Sequence, residues 1–202
     1  MPNNASPSRM PTWQHAVILV YATLALVVDY YHHFPPLRSG ILYLVIPLAM
    51  MIIFRFPLRA YGVQVGDWRR GLLLTLGGWI LTAPILWFAT RGADFTAYYQ
   101  HLWERGGLGG TLLWAMADLI SWEFFFRGCL LFILADIAGN WAILLQAMVF
   151  TLGHLSKPEL EVLSCIAGGS AFGWVAWETR SFLYPFAIHL FVTVFTVWVA
   201  AG

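Results

Sequence analysis

Seven apolar runs, each near the length of a membrane-crossing helix, divide this sequence. A transmembrane helix needs about 20 mostly apolar residues at about 1.5 Å rise each. The runs extend roughly from Trp13 to Tyr31, Gly40 to Phe54, Gly71 to Thr90, Thr111 to Gly139, Asn140 to Leu155, Glu161 to Glu178 and Ser181 to Ala200. The expected fold is therefore all-α, a polytopic transmembrane helix bundle of about seven spans. The second and fifth runs are short and are expected to tilt little or to be shielded by neighbours. Composition agrees: 60% of residues are hydrophobic and 10% charged, with a mean hydropathy of +0.71, well outside the range of soluble domains.

A net charge of +1 leaves no electrostatic footprint for nucleic acid. Cys129 and Cys165 both sit inside apolar runs, which excludes a disulfide scaffold and any CxxC zinc or redox site. The chain divides into an N-terminal tail (1–12), N-terminal transmembrane helices with their loops (13–110) and a core of later helices (111–202). The first run lacks a strong basic region before it and a small-x-small cleavage site, so it is expected to be retained as a helix. The partner implied throughout is the lipid bilayer, and the expected location is the cell membrane, as a multi-pass protein.

Turn chemistry separates the runs at Phe34-Pro35-Pro36, at Arg55-Phe56-Pro57 and at the cluster Gly106, Gly107, Gly109 and Gly110. No Lys-Ser/Thr pair follows those glycines, so they read as a flexible connector rather than a phosphate loop. Residues 94–105, with Phe95, Tyr98, Tyr99 and Trp103, are expected to lie as an interfacial helix. Gly169 and Gly173 form a small-xxx-small pair suited to close helix packing. The loop with Arg55, Arg59, Arg69 and Arg70 is expected on the cytoplasmic side, which puts the N-terminus inside and the C-terminus outside. Opposing loops carry Arg38, Arg91, Arg105 and Lys157.

Ionisable groups in hydrocarbon cost about 2.5 kcal/mol upward each, so every one needs a partner or a purpose. The fourth run carries Asp118, Glu123 and Arg127, the fifth ends at His154, and the seventh holds His189. Glu123 and Arg127 are spaced i,i+4 in the favourable order and can neutralise each other, as structure or as part of a site. Two histidines on separate helices, with a buried carboxylate on a third, are the parts needed to polarise a water. The long fourth helix should protrude with the start of the fifth, bringing Glu123, His154 and His189 to one depth.

The segments Trp122-Glu123-Phe124-Phe125-Phe126-Arg127-Gly128, Phe150-Thr151-Leu152-Gly153-His154 and His189-Leu190-Phe191-Val192-Thr193 resemble the three ordered motifs of the CPBP family, EExxxR, FxxxH and HxxxN. That family groups type II CAAX prenyl endopeptidases with bacteriocin-processing and immunity-type (Abi) membrane proteins. The resemblance implies an intramembrane endopeptidase acting on a peptide or protein substrate at the membrane, lipidated in the CAAX case. It implies catalytic roles for Glu123, His154 and His189, with Arg127 and Thr193 in support. Two neutral imidazoles and one carboxylate also form a three-ligand set for a divalent metal such as zinc, and suit a metal-free mechanism equally.

Two positions depart from the pattern: Trp122 stands where the family has its first glutamate, and Thr193 where it has asparagine. In the family the first glutamate activates water and the second pairs with the arginine, the role Glu123 inherits by alignment. Asp118, four residues before Trp122 and on nearly the same helical face, could supply a carboxylate. Glu161, in the connection after His154, is the other spare acid. Glu159 reads instead as part of an N-capping box opened by Ser156. Two readings besides the enzyme stay open: a non-catalytic relative serving immunity, binding or scaffolding, and a small transporter, which would call for two related halves with broken helices.

Overall fold

In the computed structural model, which describes residues 12–32 and 35–202, the chain is a bundle of helices with no strand among the described residues. Most of the expected tail, and Phe34 of the first turn, lie outside those residues. The elements are α1 (Trp13–His32), α2 (Pro36–Ile53), α3 (Trp68–Ala89), α4 (Ala93–Glu104), α5 (107–138), α6 (Ala142–Leu152), α7 (Glu159–Thr179) and α8 (Leu183–Ala201).

Six stretches are long and apolar enough to cross a membrane. The longest of them, Gly107–Leu152, spans 46 residues and doubles back at Gly139, whose φ of +58° suits a residue without Cβ. Its two arms are α5 and α6, so the seven apolar runs each become a helical segment. They are unequal: α6, with 11 residues, reaches only about 16 Å, roughly half the bilayer core.

Several boundaries differ from expectation. α2 begins at Pro36, earlier than the apolar run, because a proline in the first turn needs no hydrogen-bond donor. With 18 residues it is not a short span. Its π-helical turn Ile41–Val45 comes just before Pro47, whose ring would crowd the Tyr43 carbonyl in regular α geometry. The glycine cluster acts as a connector only in part. Gly106 and Gly107, at φ +144° and +57°, make the turn, and Gly109 and Gly110 are already helical. The capping box does not form either: Pro158, in extended backbone, holds the N-cap of α7, and Ser156 stays in the preceding turn. Glu159 and Glu161 instead place negative charge in the first turn, where the helix dipole favours it.

α4 is amphipathic as expected, burying Phe95, Tyr99 and Leu102 against Val197 and Ala200 of α8. α1 buries a single stripe, His15, Ile18, Ala22 and Ala25, at helical spacing. α6 and α7 pack closely because Gly169 faces Ala147 and Phe150 while Gly173 faces Gln146. Gln146 Nε2 donates to the Gly169 carbonyl at 2.7 Å across that contact.

Polar contacts define two ends of the bundle. At one, His15 and Tyr61 both meet Asp136, Asp67 N–H donates to the Thr179 carbonyl, and Arg180 reaches the Ala60 carbonyl. At the other, Ser39 meets Asp118, Thr96 bonds the Ala200 carbonyl, and Tyr99 meets Glu161.

A Cβ at Gly169 would lie 3.0–3.3 Å from Phe150 and Ala147, one at Gly168 more than 4 Å from any neighbour. Gly169→Val should therefore lower thermal stability in detergent by an overpacking cost of about 1–3 kcal/mol. Gly168→Ala should leave the melting temperature unchanged or slightly raised.

Candidate active site

Arg127 and Glu123 are fully buried in α5, at the start of the wholly buried π-helical segment Phe124–Leu130. Arg127 Nη1 donates to Glu123 Oε1 at 2.9 Å. The guanidinium is covered by aromatic rings, with its carbon 4.0 Å from the Phe150 centroid and 5.3 Å from that of Phe172. Its Nε and Nη2 have no hydrogen-bond partner among the described residues, so ring faces on α6 and α7 provide the remaining stabilisation.

The same carboxylate oxygen reaches α8: His189 Nδ1 lies 2.6 Å from Glu123 Oε1. Carboxylate oxygens accept, so the Nδ1–H of a neutral imidazole donates and Nε2 keeps its lone pair. His154 has a matching arrangement, with Nδ1 2.9 Å from the Phe150 carbonyl oxygen. That carbonyl can only accept, so His154 also keeps its lone pair on Nε2. The two rings lie nearly parallel with centroids 6.4 Å apart.

Both imidazoles line a cavity of about 320 Å³ that opens at the Tyr99 end of the bundle. Trp122, Thr193, Asp118 and Asp29 share its wall, whereas Glu123 lies behind His189 and does not. Thr193, one turn after His189, has its hydroxyl unengaged by other described residues. The indole of Trp122 sits edge-on to His154 at 5.6 Å and covers Gly153, where a Cβ would come within 2.9 Å of the ring. Asp118 Oδ1 accepts from Ser39 of α2 at 2.6 Å.

Glu161 is not brought to His154. Its carboxylate accepts from Tyr99 at 2.6 Å and from Lys157 at 2.7 Å, which fastens α4 to the start of α7 beside the cavity mouth. Ser39, Tyr43, Lys157 and Asp29 are polar members of this region that the motifs gave no means of finding. The partners of Ser39, Tyr43 and Asp29 lie on other helices at sequence separations without periodicity, whereas Lys157 meets Glu161 at i,i+4 spacing.

His154 and His189 have the outer hydrogen bonds typical of metal-ligating imidazoles. Among the described residues no three His, Cys, Asp or Glu side chains group closely enough to hold a metal ion, and Glu123 Oε1 is already shared by Arg127 and His189. The described residues alone do not group into the three-ligand set of a zinc hydrolase.

The molecule is thus a polytopic helical membrane protein with a carboxylate–imidazole pair at the floor of a polar cavity. Residues 104–195 match the family model described as type II CAAX prenyl endopeptidase Rce1-like. The C-terminal part of the chain is thus similar to the CPBP family, a family of proteases. Comparisons with curated proteins and with solved structures returned no match. The matched segment contains Glu123, Arg127, His154, His189 and Thr193, while Ser39 and Asp29 lie outside it.

Removing one partner of a buried ion pair leaves an uncompensated charge at a cost of about 3–5 kcal/mol. Arg127→Leu should accordingly destabilise the protein strongly in detergent, and the double variant Glu123→Leu/Arg127→Leu should melt at a higher temperature than Arg127→Leu alone. A second expectation concerns Lys157. Burial alone would pull its ammonium down, but Glu161 and Tyr99 lift it well above the ordinary lysine value. With the folded-state value raised, its contribution is whole below the ordinary lysine range and fades only as pH climbs through the raised one. Lys157→Met should therefore cost a constant, small amount, about 0–1 kcal/mol for a partly exposed pair, in melts run from about pH 6 to about pH 9.

Proposed function

We propose that this protein is an intramembrane endopeptidase in which the Glu123–His189 pair activates water for attack on a peptide bond held in the cavity. The observation carrying this reading is that two imidazoles, each fixed at Nδ1, expose Nε2 lone pairs to one cavity while a buried carboxylate backs one of them. His189 Nε2 takes a proton from water as the oxygen attacks the scissile carbonyl. Glu123 stabilises the imidazolium that forms, and the proton passes on to the leaving amine. His154 Nε2 accepts the second hydrogen of the water and holds it in line. The Thr193 hydroxyl and the Trp122 indole N–H are donors available to the developing oxyanion.

In this scheme Asp118, a carboxylate that reaches the cavity wall, orients the substrate backbone and Ser39 fixes its rotamer. No metal takes part. The substrate is a peptide or protein segment at the membrane, and a lipid modification on it would lie in the surrounding bilayer. The location proposed is the cell membrane.

One observation favours a second reading, a non-catalytic relative: Trp122 occupies the position of the family's water-activating glutamate. In that case Glu123, Arg127 and His189 are a packed polar core alone. The two readings separate in a cleavage assay with the reconstituted protein against peptide libraries. His189→Ala and His154→Ala should abolish cleavage with the fold retained in size-exclusion profiles. Glu123→Gln should reduce turnover by about 10³–10⁴-fold through loss of imidazole orientation, and Thr193→Val by about 10²-fold or more as an oxyanion donor is removed. Asp118→Asn should fall far less than Glu123→Gln, and chelators should leave the rate unchanged. Full activity in His189→Ala, or no cleavage by the parent protein under any condition, would overturn the hydrolase reading.

A further inference from the structure

One charged group in the cavity lining stands outside the water-activating chemistry. Asp118 lies in the regular α-helical part of α5, four residues after Trp114 and four before Trp122, so the three share one face of that helix, and all three line the cavity. Ser39 donates to Asp118 Oδ1 at 2.6 Å, while Oδ2 accepts no hydrogen bond from the described residues. Among those residues no basic group forms an ion pair with Asp118. Of the basic side chains in the same lining, Lys157 is bound to Glu161 at 2.7 Å, and Arg105 and His101 are exposed. A carboxylate in a membrane-spanning helix needs a partner or a purpose.

We propose that Asp118 is a specificity determinant, taking the ammonium or guanidinium of a substrate lysine or arginine that lies within two residues of the scissile bond. A carboxylate has about four lone-pair sites, so the hold of Ser39 on Oδ1 leaves Oδ2 for a further N–H donor beside any backbone contact. A neutral donor leaves the negative charge uncompensated among hydrocarbon and rings, whereas a cation neutralises it. The cation also meets the flanking indoles, the aromatic rings that attract positive charge best, and Tyr30, Tyr98 and Tyr99 extend this aromatic lining. Distance sets the register. Four residues of helix put Asp118 about 6 Å along the axis from Trp122, on the side of the mouth, and the Trp122 ring lies 5.6 Å from that of His154. An extended peptide advances about 3.3–3.6 Å per residue, so a long cationic side chain one or two residues from the bond held at His154 and His189 reaches Asp118. An acidic residue at that place sets two like charges together and is rejected.

The register relative to a scissile bond rests on the hydrolase reading, but recognition of the cation does not, and the experiment keeps them apart. Fluorescently labelled alanine–leucine host peptides carrying a single Lys, Arg, citrulline, norleucine or Glu are titrated against the full chain in a neutral detergent. His189→Ala is included to prevent turnover, and anisotropy reports the affinity. Lys should bind more tightly than norleucine, and Arg than citrulline, by about 10–100-fold, the range of a hydrogen bond to a charged group. Asp118→Asn, of nearly the same shape, should erase that ratio by weakening the cationic peptides alone, and Asp118→Glu should retain it. Equal affinity for the Lys and norleucine peptides, an undiminished ratio in Asp118→Asn, or an equal loss for every peptide overturns the inference. Cleavage does not enter this readout, so an inactive protein still reports its preference. In an active protein, mass spectrometry of a cleaved library should place Lys or Arg within two residues of the cut, and the Lys to norleucine ratio of kcat/KM should fall to about 1 in Asp118→Asn. Efficient cuts with no such residue nearby would refute the assigned register.

Discussion

A guanidinium and a carboxylate lie wholly buried in a bundle whose surroundings are hydrocarbon, and the arrangement of the later helices depends on how that pair is accommodated. Arg127 needs a negative partner and receives one oxygen of Glu123. Its remaining surface is met by Phe150 of α6 and Phe172 of α7. Glu123 hands the same oxygen to His189 of α8. One ion pair thus links four helices, and none of them can shift without exposing a charge to an apolar environment. The π-helical segment that begins right after Glu123 belongs to this arrangement, since a widened turn redirects the side chains that follow it.

Depth is set by a different device. α6 is too short to cross the bilayer, so the chain turns back at 153–158 inside the bundle and leaves His154 near the level of His189. Such a turn is tolerable in a membrane only where protein or a polar cavity receives its backbone groups. Here the His154 N–H donates to the Thr151 carbonyl and the Lys157 N–H to the His154 carbonyl, and the indole of Trp122 closes over Gly153. The glycines of α7 allow the short helix to lie close enough for Phe150 to reach both Arg127 and His154.

Much of this was readable from the chain. Apolar runs give the helices, the aromatic residues from Phe95 to Trp103 give α4, and i,i+4 spacing gives the ion pair, because each depends on neighbours within one helix. The start of α2 and the cap of α7 were misread where a proline took the position assigned to another residue. The bonds from Ser39 to Asp118 and from Tyr99 to Glu161 had no local signature. They join helices distant in sequence, and only packing decides which polar side chains meet. The depth of Glu123 behind His189 was equally hidden, since sequence places both near mid-membrane without saying which one faces the cavity.

That depth shapes what chemistry the proposed site can support. The Oε1 oxygen of Glu123 is engaged by both the guanidinium and the imidazole, and the carboxylate does not reach the cavity. It is nevertheless well suited to fix the tautomer of an imidazole and to stabilise the cation formed when that imidazole takes a proton. With tryptophan at position 122, no second glutamate stands beside Glu123 to act on water directly. Under the proposed reading, proton acceptance passes outward by one hydrogen bond, from Glu123 to Nε2 of His189, the first basic atom of this pair that touches the cavity. The indole at 122 then has two consistent effects: it fills the space of the missing carboxylate, keeping the floor of the cavity desolvated, and it adds an N–H donor where negative charge would develop.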